Sequence, residues 1–463
     1  MTEVESLGVA RSDVEMLARE IVRLVGKEEQ TVRGLSEETG TGVLDGPSLI
    51  AGVLEECRLN GVSPEVGLKI LHAVATDLGR SREPSPSFSP MSSFAKAFEL
   101  QKRGIKLIRL DVGEPDFHPP QAVVKATSDA LFGFKTHYTV ARGIPPLVSA
   151  VQSYLGSRNN YHADEKQVMV TSSGRFAIFA ALSTNVREGE SVVIVNPNWP
   201  AYREIVEFIG ARPRLVHTSL ERGWEVTPEM VEGAVGPETR ALVLSYPSNP
   251  HGKIIGESTY RGILDVANRR NLLVISDEIY NEYAYKPCPS ILDGGAERFV
   301  LTSSFSKTWA MTGFRIGYAV SSKEIVDKML RVVSMAVTSV PEFIQYGAVE
   351  AFGAQAEVAE NKRLMKERIE AVGAALSEVQ SLEFARPDGA MYYFVRCSRP
   401  GFDAAEFSRR LLEDKGVSVT PGGAFGDYGD FFRISLGQPK EVVLEGVRKI
   451  GELLQDPVDP SKR

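Results

Sequence analysis

Residues 272–280 read LLVISDEIY, and residues 301–308 read LTSSFSKT. Each is a short apolar run that stops at a cluster of polar, chemically active side chains. Similar runs recur at Val168–Thr171, Val192–Val195, Ala241–Ser245, Leu272–Ile275, Phe299–Thr302 and Arg315–Val320. Helix-like stretches such as Phe176–Ser183 and Ser258–Arg269 separate several of them. Strands buried on both faces and alternating with helices predict a mostly parallel sheet with crossover connections, an α/β fold. Longer helices follow, including Val358–Leu376, and then short strand-like pieces at Tyr392–Val395 and Phe431–Leu436. These predict a second, smaller α+β lobe.

Upstream the texture changes. Ser81–Ser92, SREPSPSFSPMS, holds three prolines and five serines and reads as an extended linker. Before it, Val14, Leu17, Ile21 and Leu24 form one apolar stripe capped by Ser12. A helix is expected over Pro47–Leu59, and a third starts at Ser63-Pro64 and closes at Gly79. The expected organisation is an all-α N-terminal unit over 1–80 and a linker over 81–94. A large lobe with its N-terminal arm follows over 95–322, then a small lobe over 323–455 and a tail over 456–463.

The whole chain has 463 residues, 43% hydrophobic and 24% charged, with 41 Gly and 26 Pro. These are ordinary globular values, which exclude collagen, coiled coil and general disorder. No apolar run approaches the roughly 20 residues of a membrane span. The start, MTEVESLGVARSDVE, lacks a basic-then-apolar leader pattern, and a cytoplasmic protein is expected. Cys57, Cys288 and Cys397 are scattered and form no CxxC pair, which fits a reducing compartment and excludes a thiolate zinc site. The histidines show no ligand spacing, so no metal is expected. Net charge is −7, and residues 1–85 hold 15 acidic against 9 basic residues. That balance argues against nucleic acid as a partner and against a DNA-binding head.

In open parallel sheets, ligands bind outside the carboxyl ends of the strands. Asn249, Asp277, Tyr280 and Lys307 all lie at or just past such ends, and Arg315 follows Lys307 by eight residues. Singly, each has a structural explanation. Asp277 suits a helix N-cap, Asn249-Pro250 a turn, Lys307 a surface, Trp199 a core or interface, and Arg433 an ion pair. Together they meet a specific chemical demand. A lysine amine bonds an aldehyde, and a carboxylate keeps a pyridine nitrogen protonated. An amide and a phenol hold a ring oxygen, and an aromatic ring stacks on the cofactor. Arginine with Ser/Gly donors at a helix N-terminus binds phosphate, and a second arginine clamps a carboxylate. That inventory describes pyridoxal 5′-phosphate.

The segments DVGEPDF, YTVARGIPPL, TSSGRFAIF, NPNWPAY, YPSNPHG, SDEIY, SSFSKTWAMTGFRIGY and FFRISL occur in this order between residues 111 and 436. The ordered set resembles the class I/II aminotransferases of the fold-type-I pyridoxal-phosphate family, over about residues 88–455. The resemblance implies a large domain whose mostly parallel seven-stranded sheet is sandwiched by helices. It implies a transaminase passing an amino group between an amino acid, dicarboxylic or aromatic by preference, and a 2-oxo acid such as 2-oxoglutarate.

The same resemblance implies the residue roles. Lys307 carries the cofactor and then shuttles the substrate proton; Asp277 pairs with the pyridine nitrogen. Tyr280 and Asn249 hold the phenolic oxygen, and Trp199 stacks on the ring. Ser173, Gly174, Ser304 and Arg315 cradle the phosphate. Tyr138 reaches the phosphate of a neighbouring subunit, which implies a homodimer with shared active sites. Arg433, helped by the backbone of Gly113, binds the substrate α-carboxylate. A C–S lyase on this fold is the competing enzyme reading, but such relatives carry His where this chain has Tyr280. A non-catalytic ligand-sensing regulator is the other, and the complete Lys307, Asp277 and Arg433 set opposes it.

Two departures stand out. The family's NPTG is NPHG here, with His251 expected to serve as a turn residue. Arg175, in the phosphate-cup segment, is expected either to meet a substrate's distal carboxylate or to add charge to the phosphate site. The GTGVLD (40–45) and GVSPEVGLKIL (61–71) segments bear a partial resemblance to a helical chorismate mutase domain. Ser48-Leu49 replaces the expected Arg-Glu pair. A regulatory or dimerising unit is therefore expected rather than a working mutase, with an unrelated helical appendage as the alternative.

Overall fold

A computed structural model describes residues 97–455, apart from 98 and 101. The expected N-terminal helices, the linker before residue 95 and the tail lie outside the described residues.

The first strand, β1 (Ile108–Arg109), is followed by seven that make one sheet. These are β2 (Val168–Thr171), β3 (Ser191–Asn196), β4 (Arg212–His217), β5 (Thr239–Ser245), β6 (Leu273–Asp277), β7 (Phe299–Ser304) and β8 (Gly317–Ser321). Their spatial order is β2-β8-β7-β6-β5-β3-β4. Only β8 runs against its neighbours β2 and β7; the other pairs are parallel. This is the mostly parallel seven-stranded α/β sheet expected from the sequence.

Alternation along the strands divides the core. Val193, Leu242, Leu244, Val274 and Leu301 belong to one buried cluster. Their neighbours Val192, Ile194, Ala241, Val243, Ile275 and Val300 belong to the other. Side chains alternate across a strand, so a sheet with helices on both faces needs apolar residues at every position. The edge strand β4 does not follow this rule. Its sequence, RPRLVH, is largely accessible and carries a proline, as edge strands allow. For that reason no apolar run marks it.

The smaller sheet joins β9 (Leu382–Phe384), β10 (Tyr392–Cys397), β12 (Thr420–Pro421) and β13 (Phe431–Ser435) in the order β12-β13-β10-β9. Strand β11 (Val417–Ser418) instead pairs with β1. Packing moves the lobe boundary from the expected 322/323. In the helix Lys323–Ala336, Ile325, Val326, Met329 and Val333 pack into a core cluster of the large sheet, and Ala348 and Ala351 of the next helix join the other. The small-lobe core begins within the helix Gln355–Ser377, and Leu110 of the N-terminal arm belongs to it. Asp116 anchors that arm by pairing with the buried Arg368, whose Nη2 lies 3.1 Å from Oδ2.

Backbones converge closely at Gly317. A Cβ there would lie 2.7 Å from Gly174 N and 2.7 Å from Ser303 O, whereas a Cβ at Gly313 would meet nothing within 4 Å. Gly317→Ala is expected to lower stability by about 3 kcal/mol, and Gly313→Ala to change it by less than about 0.5 kcal/mol, in denaturant titrations. Equal stabilities for the two variants would show that this junction has slack.

Candidate active site

The carboxyl ends of β2, β3, β5, β6 and β7 open on one edge of the sheet, and the polar motifs follow them. Asp277 ends β6 and is buried. Tyr202 Oη donates to its Oδ2 at 2.6 Å, and the Ile279 N–H donates to Oδ1 at 3.2 Å. Burial pushes the Asp277 carboxyl up to about 6, against the pull of those hydrogen bonds and of Lys307. Tyr202 sits in the helix Pro200–Phe208, three residues after Trp199, and the two rings meet edge to face at 5.4 Å.

Lys307 lies in the single helical turn Phe305–Thr308 that leaves β7. Ser304 caps this turn, accepting from Ser306 N at 3.1 Å, and bonds Ile316 O at 3.1 Å. The Lys307 amine donates to the carbonyl of Gly113. Burial lowers it to about 8; Glu114 opposes this, while Arg433, Arg315 and Arg175 reinforce it. An amine near this value is partly neutral at physiological pH, and so is a usable nucleophile and base.

Beside it, Ser173 caps the helix Gly174–Asn185, accepting from Phe176 N at 3.3 Å. The free N–H groups of this helix start lie beside Ser304, an arrangement that suits an anion, and Arg315 has a left-handed backbone (φ 53°). Arg315 is exposed, and its Nη1 donates to Thr312 O at 2.6 Å. The Arg175 guanidinium lies 4.5 Å from the centre of the Trp199 ring. Burial holds Arg175 below its ordinary range, with Glu204 opposing and Arg315 adding to the effect.

Arg433, on β13, is buried among neutral oxygens. It donates to Asn249 Oδ1 at 2.9 Å, Asp111 O at 2.6 Å and Thr420 Oγ1 at 3.3 Å. Its Nε is buried without a hydrogen-bond partner. A buried donor left unpaired is costly, and a carboxylate is the acceptor that fits a guanidinium edge. Tyr280 shares a hydrogen bond with Tyr392, a residue the sequence motifs do not single out. A Cβ at Gly113 would fall 2.2 Å from Tyr392 Oη, so a larger residue there would displace that hydroxyl.

Tyr138 stands apart from this group and is 87% exposed. His251 closes the 248–252 turn, its Nδ1 accepting from Lys253 N at 3.1 Å, and stacks on Trp224 at 5.3 Å. Burial lowers it to about 3, so it stays neutral. Among the described residues no cluster of three or more His, Cys, Asp or Glu could hold a metal, and no helix is long and apolar enough to cross a membrane.

The donor set therefore fits pyridoxal 5′-phosphate: free N–H groups at a helix start, a partly neutral amine, a buried carboxylate and a guanidinium with one unpaired N–H. The family model "Aminotransferase class I and II" matches residues 105–450. A (5-formylfuran-3-yl)methyl phosphate transaminase of Methanocaldococcus jannaschii is 35% identical, over 80% of this chain and 97% of its own. A probable aspartate/prephenate aminotransferase of Aquifex aeolicus is 31% identical, over 81% and 97%. Aspartate aminotransferase from Thermus thermophilus, solved with maleate, superposes with a TM-score of 0.76 at 30% identity, over 81% of this chain and 98% of that one. The chain belongs to the class I and II aminotransferases, transaminases that depend on pyridoxal 5′-phosphate.

Proposed function

We propose that this transaminase exchanges amino groups between a dicarboxylic or aromatic amino acid and a 2-oxo acid such as 2-oxoglutarate, with Lys307 at its chemical centre. The unpaired Nε of buried Arg433 is the observation that carries this reading, because it supplies the α-carboxylate site every amino acid needs. A second cation, Arg175, offers a distal carboxylate a partner. A relative named for aspartate and prephenate, and the maleate in the Thermus structure, support a substrate with a second carboxylate.

When bound, pyridoxal 5′-phosphate supplies an aldehyde for amines and a ring that withdraws electrons from the substrate α-carbon. Ser173, Gly174, Ser304 and Arg315 would hold its phosphate, and Trp199 would cover the ring. Asp277, oriented by Tyr202, holds a proton at the pyridine nitrogen. Tyr280 and Asn249 face the phenolic oxygen. Arg433, with the Gly113 backbone beside it, fixes the α-carboxylate and so aims the α-carbon. Lys307 would hold the cofactor covalently, and as a free amine would accept and return the proton of the substrate α-carbon.

The active unit is a homodimer. Phe132, Phe134, Tyr138, Val140 and Met335 are 80%, 78%, 87%, 63% and 80% exposed. The Thr139 N–H bonds Ser339 Oγ at 3.2 Å, joining the two segments that carry them. Exposed apolar side chains gathered in this way call for a partner surface. Tyr138 would then complete the partner's phosphate cradle. Cys288 and Cys397 are free thiols, in keeping with a cytoplasmic protein.

Lys307 titrates near 8, so its neutral fraction rises with pH up to that value and then saturates. The rate at which apoprotein takes up the cofactor should climb about tenfold per pH unit below 8 and flatten above it. Stopped-flow absorbance checks this, and a rise that continues to pH 10 contradicts it. Arg433→Ala should raise KM about 30-fold or more for every amino acid. Arg175→Ala should raise KM for dicarboxylic donors about tenfold while leaving neutral ones within about twofold. Steady-state kinetics with aspartate and alanine decides, and equal losses would assign Arg175 to the phosphate.

A further inference from the structure

Tyr392 opens β10 and is 1% exposed. On the antiparallel neighbour β13, Arg433 lies opposite Phe394, two residues along, so Tyr392 and Arg433 share one face of the sheet. The contact is direct, with the Arg433 guanidinium 4.5 Å from the centre of the Tyr392 ring. At its other end the Tyr392 hydroxyl bonds that of Tyr280, the two rings meeting edge to face at 5.6 Å. The hydroxyl also fills the space beside Gly113, whose carbonyl receives the Lys307 amine. One side chain thus touches the substrate-carboxylate site, the phenol at the cofactor and the backbone at the amine.

Two phenols share one hydrogen bond, so one of them donates. Burial raises the Tyr392 hydroxyl above its ordinary range, with Arg433 over its ring and the bond to Tyr280 opposing. Tyr280 is pushed well above its ordinary range by burial and by Tyr392, with Arg433 opposing and Asp277 adding. A guanidinium seated over the Tyr392 ring draws electron density from it, and so polarises that hydroxyl as the donor. We propose that Tyr392 is a positioning residue: its hydroxyl donates to Tyr280 and so leaves the Tyr280 proton free for the cofactor's phenolic oxygen, while its ring holds Arg433 for the substrate carboxylate. The inference rests on the roles assigned to Tyr280 and Arg433 above. Chained hydrogen bonds strengthen one another, so Tyr280 binds that oxygen more firmly with Tyr392 behind it.

The test is a pH titration of the visible absorption of the bound cofactor, in the holoenzyme, with KM measured alongside. Tyr392→Phe keeps the ring and loses the donor. It should raise the titration midpoint by about half a pH unit and leave KM within about twofold. Tyr392→Leu loses the ring as well and should raise KM about tenfold. Tyr280→Phe separates the two layers of the argument. If it raises the midpoint while Tyr392→Phe does not, Tyr392 has no positioning role and the reading of Tyr280 stands. If neither moves the midpoint, the reading of Tyr280 falls and the inference falls with it.

Discussion

A carboxylate at the end of a buried strand is the constraint around which this molecule is built. Asp277 has lost its water, and its remaining support is one phenol, one backbone N–H and a distant amine. Burial pushes it up to about 6 while the same burial brings Lys307 down to about 8. Burial thus displaces both groups toward their neutral forms. A cationic ring nitrogen would favour the charged form of Asp277, and a neutral Lys307 amine would suit an aldehyde. Arg433 shows the same incompleteness on the substrate side, with a buried N–H facing no acceptor.

The fold keeps these strained groups close. Parallel strands deliver β5, β6 and β7 to one edge with their polar residues in register: Ser245 beside Asp277, and Asp277 beside Thr302. Gly317 lets β8 approach the cradle backbone more closely than any side chain would permit. The N-terminal arm crosses between lobes. Its β1 pairs with β11, its Asp116 binds Arg368, and its Gly113 carbonyl meets the Lys307 amine. Binding energy is best invested in groups held rigid before substrate arrives, and these contacts supply that rigidity.

Much of this is legible in the sequence because of burial on two faces. Strands β5, β6 and β7 read as continuous apolar runs for that reason, and the polar residues that interrupt them mark the site. Where one face is open the signal fades: β4 alternates charged and apolar residues around a proline and resembles a loop. Tyr202 and Tyr392 are hidden for the opposite reason, since a tyrosine in an apolar segment looks like core. The spacing of Tyr202 from Trp199, one helical turn, and the alternation of Tyr392 with Phe394 on a strand facing Arg433 are the signals that could have found them. The lobe boundary escapes because the helices Lys323–Ala336 and Glu342–Ala351 carry the same apolar stripes whichever core they join.

Borohydride reduction of the holoenzyme, followed by peptide mapping, tests the central claim most directly, because it freezes the cofactor on whichever amine holds it. The account predicts a single pyridoxyl adduct on the peptide bearing Lys307, lost in Lys307→Ala. An adduct on another lysine, or its persistence in that variant, would contradict the account.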